Sequence, residues 1–255
     1  MFVTRLSGTI SRKMLLNVLG TLSSMLTTAQ NWGYVCEGLN FRKIVLPEKA
    51  ITKEPACFTA EQARSIIMAA QGPFRVMFAI AAMTGLRAGE ILALQTGDFD
   101  FERNFLTVRR SVWRQKVSTP KTSTSQAIMP MPDAPARIVR EHIATLKSEW
   151  LFLNRRGKLF IAENVVRQAL VPILDKLKIP RCGFHAFRHA HSTMLLYNGA
   201  TPQEAQAQMR HADPRMTLSV YSHVLAPSRR KVVEQIASIL DPNGPIPEPN
   251  STMIQ

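Results

Sequence analysis

The chain has 255 residues and a mass of 28.6 kDa, with 45% hydrophobic and 20% charged residues, the balance of a globular protein that can bury a core unaided by disulfides or metals. Its 32 Lys and Arg against 18 Asp and Glu leave a net charge of +14, which points to a polyanionic partner, nucleic acid before an anionic membrane. No apolar run reaches ~18 residues, and the three cysteines (Cys36, Cys57, Cys182) form no C-x-x-C, which argues against a membrane-spanning chain, a secreted disulfide scaffold and a thiolate zinc site.

In chain order, Leu15, Val18, Leu19, Leu22, Met25, Leu26 and Ala29 recur at helical spacing, with Asn17, Ser23 and Ser24 between them. Residues 11–32 therefore read as an amphipathic helix rather than the apolar stretch of a signal peptide. Residues 38–57 are basic, proline-containing and aperiodic, and read as a linker. Thr59 and Gln62 form a capping box for a helix reaching about Ala70. Pro73 to Thr84 is apolar almost throughout, which predicts a buried helix capped by Gly85. Ala88 to Leu94 is a further short helix. Phe99 to Arg114, rich in Phe, Val and Thr, reads as two strands around the turn Glu102-Arg103-Asn104. Pro120 to Ser125 is a polar loop and Ala127 to Met131 the next strand. Asp133 begins a helix ending near Glu149, and Leu151 to Leu153 is a short strand before Arg155-Arg156-Gly157. Helices follow at about 162–178, 184–198, 202–209, 214–222 and 226–240. Residues 241–255 hold four of the sixteen prolines and read as a loose tail.

The charge divides unevenly on this map. Residues 1–57 carry net +4, residues 58–240 net +12 and the tail net −2. The excess lies in the folded body, which favours a surface that holds a duplex over a disordered basic arm.

Two segments carry chemistry. The first is Thr84-Gly85-Leu86-Arg87-Ala88-Gly89-Glu90. The second is His185-Ala186-Phe187-Arg188-His189, followed by Arg210-His211 and, ten residues beyond His211, Tyr221. Taken singly, each has a plain structural explanation: a surface Arg paired with Glu90, a polar helix face, a half-buried Tyr. Together, in this order and spacing, they resemble the tyrosine recombinases of the phage integrase family. That family's boxes have the forms T-G-[LM]-R-x-[GS]-E and H-x-[LF]-R-H. A His or Trp then precedes a nucleophilic Tyr, and a Lys sits in a β-hairpin turn between the boxes, where this chain has Thr119-Pro120-Lys121-Thr122-Ser123. One departure stands at Met209-Arg210 before His211, where the family often has Leu-Gly at a tight helix corner.

The resemblance covers about residues 58–240. It implies an α+β fold, mainly α-helical, built as a catalytic domain with a small three-stranded antiparallel sheet and preceded by a remnant helix. Residues 1–40 would be the remnant of a core-binding (SAM-like) domain, 41–57 a linker, 58–240 the catalytic domain and 241–255 a flexible tail. The implied catalytic residues are Arg87, Lys121, His185, Arg188, His211 and Tyr221. Physical chemistry agrees with those roles. Arginines bind phosphate oxygens in pairs and stay charged. A tyrosine hydroxyl, with a reference pKa of ~10, needs a base and a positive environment to attack. His185 suits the base, His211 a further donor to the phosphate, and Lys121 the acid for the leaving 5′-oxygen. Glu90 would orient Arg87, His191 would be structural, and Asp98 would be a turn or cap residue.

The implied partners are double-stranded DNA and further copies of the chain, four protomers on two duplexes, acting in the cytoplasm at the nucleoid with no membrane. The phosphotyrosyl link conserves bond energy, so no nucleotide cofactor and no metal is implied, and the chain has neither G-x-x-x-x-G-K-[ST] nor H-E-x-x-H. The short stretch before the linker reads as a truncated front, from which weak, salt-sensitive DNA binding follows. Three functions are therefore carried forward: an active recombinase, a remnant that binds DNA or a partner subunit without completing recombination, and a helical DNA-binding regulator.

Overall fold

The computed structural model describes residues 9–34, 56–118 and 127–210, in two units, Met1–Glu54 and Pro55–Gln255. The expected linker from residue 38 onward lies almost wholly outside those residues. The loop at 120–125, the helices at 214–222 and 226–240 and the tail lie entirely outside them. Among the described residues no helix is long and apolar enough to cross a membrane.

The first unit contributes helix α1, Arg12–Asn31, whose Ser11 cap accepts from the Met14 N–H and whose buried residues are Leu15 and Leu19. In the second unit α2 (Ala60–Ala69) starts at the expected Thr59–Gln62 capping box, with both reciprocal bonds formed. Helix α3 (Gly72–Thr84) is the central element. Val76 to Ala82 are all buried, and Gly85 ends the helix with φ 66°, a left-handed conformation that glycine enters without strain. Helix α4 (Ala88–Leu92) follows at once and ends two residues short of the expected Leu94.

The three-stranded antiparallel sheet is present, ordered β1 (Phe99–Asp100), β2 (Phe105–Val108), β5 (Ala127–Pro130). Leu106 pairs with Met129 and both point into the core. The second expected strand does not run on to Arg114. The chain instead leaves the sheet and makes a separate hairpin, β3 (Ser111–Trp113) with β4 (Lys116–Ser118). Its two-residue turn, Arg114-Gln115, has φ 45° and 67°. Such turns are normally announced by Asn-Gly or Asp-Gly, so this one carries no signal in the sequence.

Helix α5 (Asp133–Ile143) stops well before Glu149. There the Thr145 hydroxyl bonds the His142 carbonyl at 2.7 Å, and Leu146 N–H reaches only three residues back, to Ile143. Leu151 to Leu153 form no strand: Leu153 makes an isolated bridge to Leu159, and Trp150, just before the stretch, one to Gln95. The expected continuous helix at 162–178 is α6 (Ala162–Val165), a π-helical turn (Val166–Leu170) and α7 (Val171–Lys176). Pro172 explains the break, since it has no N–H for the carbonyl one turn back and its ring crowds that carbonyl. Helices α8 (His185–Tyr197) and α9 (Pro202–Met209) fall where expected, and α9 opens on a Thr201–Glu204 capping box.

What seats the later site is the contact between α3 and α8. Phe187 stacks on Phe78, with centroids 5.6 Å apart and planes at 19°, and packs against Phe58 at 4.7 Å. All three rings are buried. Aromatic pairs of this kind add ~0.5–1.5 kcal/mol beyond the area they bury.

Candidate active site

Arg87 caps α4, immediately after the Gly85 corner. Its backbone N–H donates to Glu90 Oε2 at 2.9 Å and its guanidinium to Glu90 Oε1 at 3.0 Å. Glu90 is buried while Arg87 is exposed. Gly89, between them, sits where a Cβ would lie 2.6 Å from the Val112 carbonyl oxygen and 2.7 Å from Ser111 Oγ, so α4 can approach the β3 hairpin only with glycine there.

Arg188 comes from the other side. It lies one residue beyond Phe187 on α8 and is 3% exposed. Its guanidinium donates to the Gly85 carbonyl at 2.6 Å and to the Met209 carbonyl. A buried charge survives only with such partners. Burial, with Arg87 close by, pushes its pKa down to about 10, which leaves it charged at neutral pH. The second terminal nitrogen of Arg87 donates to the Arg210 carbonyl at 3.1 Å. The two arginines thus meet at the end of α9, one residue before His211.

His185 is the first residue of α8 and is exposed. Partial burial, then the charges of Arg188 and Arg87, hold its imidazole below the ordinary 6.5. The positive end of the helix acts in the same direction. His189 lies one turn on, its ring 5.0 Å from that of His185 and edge to face. His191 packs behind Gly85, its Nδ1 3.1 Å from the Ala82 carbonyl oxygen, a position consistent with a structural residue.

The structure therefore brings Arg87, His185 and Arg188 together. Lys121, His211 and Tyr221 lie outside the described residues. The β3–β4 hairpin before Lys121 presents Lys116 at its exposed edge, cross-strand from Trp113.

Two features were not legible in the sequence. Asp98, read as a turn or cap residue, does accept the Gln95 N–H at 2.8 Å. It is also buried and takes both of its short side-chain bonds, 2.8 and 2.6 Å, from Arg110, whose guanidinium lies 5.7 Å from the Trp150 ring. Arg210, the departure noted above, adopts φ 50°, and its guanidinium pairs with Glu90. The only sequence signal for that pair was the missing glycine.

The sequence pattern of the phage integrase family matches residues 57–227. A tyrosine recombinase XerC-like protein of Caldanaerobacter subterraneus subsp. tengcongensis is 27% identical over 251 residues, covering 84% of this chain and 63% of that protein. Tyrosine recombinase XerC of Pelotomaculum thermopropionicum is 29% identical over 150 residues, 58% of this chain and 48% of its own length. The chain thus spans between about half and just under two thirds of these curated relatives. In fold it is similar to the Tn1549 transposon integrase solved with circular intermediate DNA, with a TM-score of 0.77 and 24% identity over 92% of this chain and 84% of that one. It is also similar to the XerH site-specific recombinase bound to its difH substrate, with a TM-score of 0.57 and 19% identity over 92% of this chain and 72% of that one.

Proposed function

The chain belongs to the phage integrase family, and on that premise we propose that it is a tyrosine recombinase that cuts and rejoins duplex DNA through a 3′-phosphotyrosyl intermediate. The observation that carries this reading is the convergence of Arg87 and Arg188 on one corner, with His185 beside them and His211 next in the chain. Three guanidiniums, Arg87, Arg188 and Arg210, stand around a single buried carboxylate, Glu90, which pairs with Arg87 and Arg210. The corner is left with surplus positive charge, which suits a dianionic transition state.

In this reading the non-bridging oxygens of the scissile phosphate lie on Arg87 and Arg188, with His211 as a further donor. His185 takes the proton of the Tyr221 hydroxyl as its oxygen attacks phosphorus. The bond to the 5′-oxygen breaks, and Lys121 protonates that oxygen. A 5′-hydroxyl of a partner strand, giving its proton back to Lys121, then attacks the phosphotyrosine, and Tyr221 leaves and regains its proton from His185. The number of phosphodiester bonds is unchanged, so the reaction needs no external energy. Its substrates are two duplexes held by four protomers, and its place of work is the cytoplasm, where the nucleoid lies.

Covalent capture tests it. From a pool of nicked random-sequence duplexes, the wild-type chain is expected to form a denaturation-resistant protein–DNA adduct that selects a site, and Tyr221→Phe none. No adduct from the wild type, or an adduct that survives Tyr221→Phe, overturns the reading.

A further inference from the structure

Arg210 stands in a conformation unusual for its type. It closes α9 with φ 50° and ψ 49°, backbone that glycine enters freely and that costs a residue with a Cβ. A non-glycine residue held there points to surroundings that keep it in place. Here the holding group is identifiable. The Arg210 guanidinium reaches Glu90 Oε2, and the two side chains are only 11% and 10% exposed. The same carboxylate takes the Arg87 guanidinium at 3.0 Å, and Arg87 in turn donates to the Arg210 carbonyl at 3.1 Å. These contacts close a ring: Arg210 side chain, Glu90, Arg87, Arg210 backbone.

We infer that Arg210 is a positioning residue: through Glu90 it fixes the aim of the Arg87 guanidinium and pins the chain just before His211 to the 84–90 turn. This rests on the strand-cleavage reading above. A glycine at the same place leaves the corner free of strain but opens the ring, so the Arg210 guanidinium no longer holds the Glu90 carboxylate against its pull toward Arg87. A direct phosphate contact by Arg210 is the competing role. The side chain's burial and its engagement with Glu90 speak against it, and the two roles differ in what they move. A positioning residue changes the rate of the chemical step at saturating DNA, whereas a phosphate contact changes affinity.

The test is a double-mutant cycle on the full chain with the captured duplex. Arg210→Gly is expected to bind within about twofold of the wild type. It is expected to form adduct roughly 10- to 100-fold more slowly, the scale of a misplaced catalytic group. Arg210→Lys restores part of that rate. In a Glu90→Gln background Arg210→Gly slows the reaction no further. A wild-type cleavage rate in Arg210→Gly overturns the inference. So does a loss confined to affinity, and so do rate effects of the two substitutions that simply multiply. The same cycle read in melting temperature separates the Glu90–Arg210 tie from the strand-cleavage reading. No adduct from the wild-type chain removes the strand-cleavage reading and the catalytic half of this inference with it. Additive melting shifts at Glu90 and Arg210 remove the tie itself.

Discussion

Arg87 and Arg188 donate to consecutive main-chain carbonyls, those of Arg210 and Met209. The Arg188 fork also holds the Gly85 carbonyl, so a single planar group joins the end of α3 to the end of α9. An ammonium is a point charge and cannot span both acceptors in one plane. Arg188→Lys is therefore expected to lose ~1–3 kcal/mol in urea unfolding, the cost of a buried group left unsatisfied. Adduct formation should fall by at least ~100-fold, as for loss of a transition-state donor. An Arg188→Lys chain that unfolds and cleaves like the wild type contradicts the bridging role.

Gly89 and Gly97 make a matched pair. A Cβ at Gly89 meets the Val112 carbonyl oxygen at 2.6 Å, while one at Gly97 has nothing within 4 Å. Gly89→Ala must push α4 off the hairpin, at a cost of ~1–3 kcal/mol. Gly97→Ala is expected to be neutral or stabilising by up to ~1 kcal/mol, through the unfolded chain. Thermal melts of both variants check this, and equal shifts would show that the close approach is not needed.

Phe187 is fully buried between Phe58 and Phe78, and its helix carries His185 and Arg188. Removing the ring takes away the seat of that helix. Phe187→Ala should cost about 3–5 kcal/mol. Phe187→Leu, which keeps much of the volume, should cost less and retain part of the cleavage rate. If Phe187→Ala melts with the wild type, α8 is held by something else.

Three histidines set a pH dependence. His185, His189 and His191 are each held below the ordinary 6.5, chiefly by burial. Arg188 adds to this in all three cases, and for His191 the Ala82 carbonyl works against it. With the folded value lowered, the unfolded chain takes up protons first as the pH drops. The stability contributed by the neutral rings is therefore complete above about pH 6.5 and is lost progressively below it, toward the lower folded values. Melts from about pH 8 to 5 should show a plateau and then a decline. In the same range the acid limb of adduct formation should follow the His185 ring signal in an NMR titration and lie below 6.5. A melting temperature that climbs on acidification, or an acid limb above that value, goes against the assignment.

Much of this architecture was readable because the signals were local. Thr59 with Gln62 starts α2, Gly85 ends α3, and the apolar run before Gly85 buries that helix from Val76 to Ala82. The elements that escaped depend on geometry without a sequence mark. The Arg114-Gln115 turn takes positive φ with neither Asn nor Gly, so the β3–β4 hairpin merged into the preceding strand. The break at Pro172 was visible as a residue, but its accommodation as a π-helical turn was not. In the site, Arg87, His185 and Arg188 follow from fixed motifs. The Glu90–Arg210 pair and the Arg110–Asp98–Trp150 cluster join residues far apart or of unremarkable type, and only folding reveals them.

A solvated arginine carries roughly 2 kcal/mol of rotamer entropy. Arg188 gives up that freedom as the chain folds, to the carbonyls of Gly85 and Met209. Arg87, at 45% side-chain exposure, gives it up to Glu90 and the Arg210 carbonyl. In the proposed reaction, an anion arriving at this corner therefore meets two cations already set in place by folding, one buried and one facing solvent. Neither guanidinium then has to be ordered at the moment of binding.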